Sequence, residues 1–425
     1  MKKKLLVATA AMAVSAVQAQ EVIKIGHAAA VTGQVAYFGK DTENGARMAI
    51  EALNARGVTI GGKKVTFQLM AEDDGGDPKQ ATSVAQKLVD ARINGMVGHE
   101  TSGTTIPASK IYYNAGIPQI SPSTTSPKYT QQGYNTTFRV VANDVQLGQA
   151  LGRYATGTMK VRRVAVVDDR TAYGQGLVTE FSRSLQKQGG SVVAREFTHE
   201  KATDFSTIIT RIRASKPDMV FFGGMSATAG PMLRQMKQLG MNVRMMGGDG
   251  ICSDEIFKLS GGTMADGQVV CAEAGGVQGQ AKAGMDKFRA DYKKRFGIDV
   301  QINAPYAYDA VMTMAEAMVK AGSSAPAKYL PVLAKIRARD DRTPVLVLPA
   351  RDSLAERIGT LHEGADDFLP KPFVVEELEA RLIALIRRSR GREHPRLALG
   401  NLVFETSAQK FTVNGQPLQL SPREH

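Results

Sequence analysis

Between residues 22 and 275, short apolar runs alternate with stretches whose apolar residues recur every three or four positions. The short runs predict strands buried on both faces, and the longer repeats predict amphipathic helices covering them. The predicted strands fall at 22–26, 65–70, 96–97, 119–120, 164–167, 192–197 and 219–222. Helices are predicted over 41–54, 104–114, 145–154, 174–188, 205–214 and 227–239. Asp77-Pro78 opens another, as an N-cap followed by proline at the first helical position, and Gly57 ends the first. Such alternation specifies a parallel α/β sheet. The series is too long for one comfortable sheet, so we expect two lobes joined near Asn143 and again near Gly275.

The pattern changes near Ile336. After Lys335 the only lysines are Lys371 and Lys410, against twelve arginines, whereas both cations are mixed throughout the earlier part. A buried-type strand follows at 343–348, a helix at 353–363, a strand at 366–369, and an amphipathic helix at 375–388.

At the other end, Lys2, Lys3 and Lys4 precede a short apolar run over 5–17 and then Val17-Gln18-Ala19, the three parts of a secretory signal. That run is too short to span a bilayer, and nothing later approaches eighteen consecutive apolar residues. We therefore expect residues 1–19 to be a signal peptide and the product to be exported to the periplasm.

Charge adds little. The 425 residues carry a formal net charge of +13, but the basic residues are scattered rather than clustered with aromatics, as on a solvated cationic surface. The two cysteines, Cys252 and Cys271, show no zinc-ligand spacing. In an oxidising compartment they form either a local disulfide or two buried free thiols. We expect no cofactor and no metal.

Ligands of open α/β sheets bind beyond the carboxyl ends of the strands, where loops open helices. The richest such loop is Gly98-His99-Glu100-Thr101-Ser102-Gly103-Thr104-Thr105, whose hydroxyls and free N–H groups converge where the helix dipole favours an anion. A second is Ser121-Pro122-Ser123-Thr124-Thr125-Ser126-Pro127. Each loop alone also reads as helix capping, but together they suit a small carboxylate. No Ser/His/Asp spacing supports a catalytic role for His99, so we expect a structural histidine and no enzyme.

Several motifs carry a resemblance: Val31-Thr32-Gly33 with Phe38-Gly39, Asp73-Asp74 with Asp77-Pro78-Lys79-Gln80-Ala81, the two hydroxyl loops, Tyr173-Gly174 with Gly176, Asp204-Phe205-Ser206, and Tyr308-Asp309-Ala310. Their order resembles the periplasmic branched-chain amino acid binding proteins, substrate receptors of ABC importers. The resemblance covers residues 20–336. It implies a two-lobed type I periplasmic-binding-protein fold with Rossmann-like lobes, lobe 1 over 20–143 and 276–336 and lobe 2 over 144–275. It further implies a Leu/Ile/Val-class ligand, with its carboxylate on Ser102, Ser123 and Thr125 and its ammonium on Asp249. Tyr37, Phe38, Tyr173 and Met225 would wall the side-chain pocket, and an ABC permease would be the partner. Many relatives carry Glu where this chain has Asp249, and the family's cysteine pair is replaced by Gly76 and Thr101.

The run from Gly364 to Phe373 resembles the end of a response-regulator receiver domain, with Lys371 at the family's active-site lysine. Residues 337–388 would then be an incomplete, flavodoxin-like receiver fragment without its phosphoryl-accepting Asp. Residues 389–425, with the Asn414-Gly415 turn, resemble a linker and a truncated winged-helix β-sheet that lacks a DNA-recognition helix. The expectation is thus a chimeric chain, whose alternatives to amino-acid binding are a non-functional fusion or a truncated regulator competent in neither phosphorylation nor DNA binding.

Overall fold

The computed structural model describes residues 21–262, 264–275 and 281–340, with short strand segments beyond them. The chain divides into two compact units, one ending at Leu333 and the other beginning at Ala334.

The first unit begins with β1 (Glu21–Ala29), α1 (Ala36–Arg56), β2 (Thr59–Ile60), β3 (Lys63–Asp73), α2 (Pro78–Asp90), β4 (Gly95–Gly98), α3 (Ser102–Asn114), β5 (Gln119–Ser121) and β6 (Thr137–Arg139). These strands form a six-stranded sheet in the order β2-β3-β1-β4-β5-β6, parallel except for the β2–β3 hairpin. Then come α4 (Asp144–Gly157), β7 (Arg163–Asp168), α5 (Ala172–Lys187), β8 (Ser191–Phe197), α6 (Ser206–Ala214), β9 (Met219–Gly223), α7 (Ser226–Gln238), β10 (Arg244–Gly247), α8 (Glu255–Leu259) and β11 (Val269–Cys271). They build a second, wholly parallel sheet in the order β11-β10-β9-β7-β8. Helices α9 (Ala281–Phe296), α10 (Ala304–Ala321) and α11 (Pro326–Asp340) return the chain to the first lobe, where α10 packs along α1.

The second lobe shows why its strands read as unbroken apolar runs. Side chains alternate across a strand, and here both faces are covered. Val164, Val166, Met219 and Phe221 join Leu147, Leu151, Leu177 and Phe181 from α4 and α5. Ala165, Val167, Val220 and Phe222 join Ile209, Ile212, Met232 and Met236 from α6 and α7. All eight strand residues are fully buried, and each large one contributes about 1.5–3 kcal/mol of transfer free energy.

The helix ends follow local chemistry. Asp77 accepts hydrogen bonds from the N–H groups of Lys79 and Gln80 at the start of α2, and Gly57 takes the left-handed conformation that ends α1. Asn143 and Gln146 form a reciprocal capping box at α4, where the chain first enters the second lobe. The Ala142 N–H donates to the Ala274 carbonyl at 2.7 Å, tying the outgoing segment to the returning one. Cys252 and Cys271 form a disulfide, which settles the alternative left open by the sequence. Among the described residues no helix is long and apolar enough to cross a membrane.

In the second unit the described segments are β12 (Leu346–Val347), β13 (Asp367–Phe368), β14 (Arg396–Leu399), β15 (Leu402–Glu405), β16 (Lys410–Val413) and β17 (Gln416–Pro417). β12 and β13 pair in parallel, and β14 to β17 form an antiparallel sheet in sequence order. The expected signal peptide, the helices over 353–363 and 375–388, and Lys371 all lie outside the described residues.

Candidate functional site

Most elements that reach the cleft between the two lobes do so from the carboxyl end of a strand; the turn before α10 is the exception. In the first lobe these are the loops after β1, β3, β4 and β5, and in the second those after β7, β8, β9 and β10. Gly98 makes the β4 loop possible. Its φ is +131°, and a Cβ there would stand 2.6 Å from the Ala28 carbonyl oxygen. The following His99 is fully buried, with Nδ1 2.7 Å from Asp74 Oδ2 and Nε2 3.1 Å from the Tyr112 hydroxyl, so it braces the loop from inside the lobe.

The inner pocket, about 30 Å³, is lined by Val35, Phe38, Glu100, Thr101, Ser102, Ser123, Tyr173, Met225, Asp249, Gly250, Ile302 and Asn303. It opens through Val35, Thr101, Tyr173 and Met225 onto an outer cleft of about 670 Å³, which is edged by Arg170, His199, Glu200 and Lys201.

From the first lobe, Ser102 sits at the start of α3, behind Thr101, whose side chain accepts from the Thr104 N–H. Ser102 Oγ accepts from the Ser126 N–H at 3.3 Å, which leaves its own proton free to donate. Ser123 Oγ donates to the Glu100 carbonyl at 2.6 Å, locking the two hydroxyl loops together. From the second lobe, Tyr173 donates to Asp249 Oδ1 and accepts from the Gly250 N–H. Burial pushes the Asp249 acid up to about 6, against the Tyr173 hydrogen bond, which favours its ionised form.

The structure thus brings Phe38, Ser102, Ser123, Tyr173, Met225 and Asp249 to one pocket. Thr125 and Tyr37 are not part of its lining. Thr125 is buried behind it, its carbonyl accepting the Asp144 N–H at 2.9 Å and its hydroxyl favouring the ionised Asp144 side chain. The Tyr37 ring stacks obliquely on Phe38 at 4.4 Å, and its hydroxyl is directed to Ser226 and Ser253 of the second lobe.

Sequence reasoning missed Glu100, Val35, Ile302 and Asn303. The last two arrive through Asp41 on α1, a buried acid that accepts the N–H groups of Gln301, Asn303 and Ala304 at 2.8–2.9 Å. Asp41 therefore holds the turn before α10 against the pocket. No local signal marks residues 301–303. Glu100 does carry one, as a lone acid within a loop of hydroxyls and glycines. Among the described residues no group of three or more potential ligands could hold a metal.

A family model described as Periplasmic binding protein matches residues 22–348. The chain belongs to that family. The match runs past residue 336, into the arginine-rich stretch. The chain is 35% identical over 325 residues to a leucine-specific-binding protein of Salmonella typhimurium, covering 76% of this chain and 86% of the relative. To a leucine-, isoleucine-, valine-, threonine- and alanine-binding protein of Pseudomonas aeruginosa it is 34% identical over 326 residues, covering 77% and 85%. Among solved structures, a branched-chain amino acid transporter substrate-binding protein of Streptococcus pneumoniae in complex with isoleucine superposes with a TM-score of 0.66. It is 27% identical, with 74% of this chain and 88% of that one covered. These relatives are periplasmic solute-binding proteins, not enzymes.

Proposed function

We propose that this chain is the periplasmic substrate receptor of an ABC importer and closes its two lobes around a small α-amino acid of the branched-chain class. The observation that carries this reading is the pairing of opposite chemistry across one pocket. The Ser102 hydroxyl at the positive end of α3 faces the pocket from one lobe, and the Asp249 carboxylate, held by Tyr173, faces it from the other. A zwitterion matches that polarity: carboxylate on the helix N-terminus with Ser102, ammonium on Asp249. Phe38 and Met225 supply apolar wall for the side chain, and leucine, isoleucine and valine are among the ligands named for the relatives. An inner pocket with room for about two waters implies that the lobes part and re-close as ligand enters, and the permease would read the closed form.

The test is thermal denaturation of the purified chain with leucine, isoleucine and valine. A saturating ligand at about a hundred times its Kd stabilises by ~2.7 kcal/mol, which is read as a rise in Tm. No rise with any amino acid would sink the reading.

The second unit supports a separate proposal, that residues from about 337 are a receiver remnant followed by an opening winged-helix sheet. The parallel β12–β13 pair and the β16–β17 hairpin around Asn414-Gly415 agree with that order of elements. Limited proteolysis should then cut between residues 336 and 344 and again over 389–395, leaving a resistant core that still binds ligand. One resistant unit spanning the whole chain would contradict it.

A further inference from the structure

One side chain of the first lobe reaches into the second. Tyr37 stands in the first turn of α1, half-buried, with its ring packed obliquely on Phe38. Its hydroxyl is fully covered. The groups beside that hydroxyl are those of Ser226 and Ser253 in the second lobe, although it meets neither with full hydrogen-bond geometry. Ser226 donates to the Gly250 carbonyl at 3.2 Å, and its Oγ lies 3.0 Å from Ser253 Oγ. With the Ser226 proton on Gly250, Ser253 supplies the proton between the two serines, and each serine oxygen keeps a lone pair for one more donor. Tyr37 can be that donor. Burial pushes its phenol above the ordinary range, so it keeps its proton.

We propose that Tyr37 is the latch of the closed receptor, its hydroxyl donating across the cleft to the Ser226–Ser253 pair and thereby setting how fast ligand leaves. This rests on the amino-acid reading above and names the contact that holds its closed form. The latch sits one residue behind the pocket lining on each side. Phe38 lines the pocket and Tyr37 precedes it, while Met225 lines the pocket and Ser226 follows it. Ser226 also holds Gly250, the neighbour of Asp249, and Ser253 is joined to Cys252 of the disulfide. Ligand leaves only when Phe38 parts from Met225 and the Asp249 loop, and that parting carries Tyr37 away from both serines. Tyr37 itself is not part of the lining. It therefore acts on the lobes and not on the ligand, as a positioning residue.

Arrival and departure are affected differently. Ligand enters while the lobes are apart and the tyrosine and serines are separated, so the association rate owes nothing to the latch. Departure requires that the contact break. One hydrogen bond between neutral groups, present only in the closed form, shifts the closing equilibrium by about three- to tenfold.

The experiment is stopped-flow measurement of association and dissociation of L-leucine, L-isoleucine and L-valine on the full chain. It compares the unmodified protein, Tyr37→Phe, the pair Ser226→Ala with Ser253→Ala, and all three substitutions together. Tyr37→Phe keeps the ring on Phe38 and removes only the hydroxyl. We expect it to speed dissociation by about three- to tenfold and leave association nearly unchanged. In the background lacking both serine hydroxyls, Tyr37→Phe should add nothing, because the acceptors are already gone. A hydroxyl that merely packs its own lobe would lower Tm in both backgrounds without changing the dissociation rate. Unchanged dissociation, a slowed association instead, or an equal rise in both backgrounds would each overturn the latch while leaving amino-acid binding intact. If none of the three ligands binds the unmodified chain, the amino-acid reading fails and the latch with it.

Discussion

The Tyr173 hydroxyl donates to Asp249 Oδ1 at 2.9 Å and accepts the Gly250 N–H at 3.0 Å, so one side chain at the start of α5 fixes both the acid and the backbone of the loop after β10. A Cβ at Gly250 would stand 2.6 Å from the Gly224 carbonyl oxygen and 2.9 Å from both Met225 Sδ and the Tyr173 ring, which fits that loop tightly into its lobe. The acid facing the cleft is therefore pre-set before any ligand arrives, and pre-setting removes part of the ordering cost of binding.

Removing the Tyr173 hydroxyl should act through Asp249. Tyr173→Phe takes away a hydrogen bond that favours the ionised acid, whose value of about 6 in the empty site then rises. Affinity at pH 7 should fall roughly tenfold, and the pH at which binding begins to fail should move upward. Titrations between pH 5 and 8 read both effects, and an unmoved pH profile would separate Tyr173 from Asp249.

In the unmodified protein an ammonium needs the ionised form of Asp249. Affinity should thus be flat above about pH 6 and decline below it, by about tenfold per unit of pH at the steepest. Asp249→Asn should bind weakly at every pH and lose this dependence.

Ser102→Ala should weaken binding of the carboxylate by ten- to a hundredfold, or about 1.5–3 kcal/mol. Thr125→Ala should do less to affinity, because Thr125 stands behind the lining and not in it. Calorimetry showing equal losses would mean that the loop after β5 rearranges when ligand binds.

Asp144 is fully buried, and burial outweighs the Thr125 hydroxyl to push its acid up to about 7. The folded state thus holds a proton that the unfolded chain releases near pH 4. Its contribution to stability is fully present below about pH 4 and is lost as pH rises through about 7. Asp144→Asn should therefore raise Tm at pH 8, by the equivalent of a few kcal/mol at most, and change it little at pH 4.5. Melting curves across that range decide it.

The Cys252–Cys271 disulfide spans nineteen positions and ties the segment after Asp249 to edge strand β11. Closing a loop of that length contributes ~3 kcal/mol. Reduction, or Cys252→Ser with Cys271→Ser, should lower Tm and also weaken binding, since the Asp249 loop loses its anchor. A lower Tm with unchanged affinity would place the disulfide's role in the sheet alone.

Much of this protein is written locally. The strands of the second lobe are legible because both faces are buried, which makes 164–167 and 219–222 continuous apolar runs. The Asp77-Pro78 cap, the Gly57 stop and the hydroxyl loops after β4 and β5 are equally local, because capping and helix-terminus chemistry depend on residues a few positions apart. Non-local contacts decided the rest. Whether Cys252 and Cys271 bond depends on β10 and β11 being neighbours in the sheet. Ile302 and Asn303 line the pocket where Asp41, some 260 positions earlier, holds the N–H groups of Gln301, Asn303 and Ala304. Thr125 and Tyr37 look like site residues in sequence, yet packing turns one toward Asp144 and the other toward Ser226. Glu100 stands out in sequence as a lone acid among hydroxyls and glycines, but only the fold shows that it is buried against the pocket. Hydrophobic periodicity records which face of an element is buried, but not what is buried against it, and a binding site is made of that second kind of information.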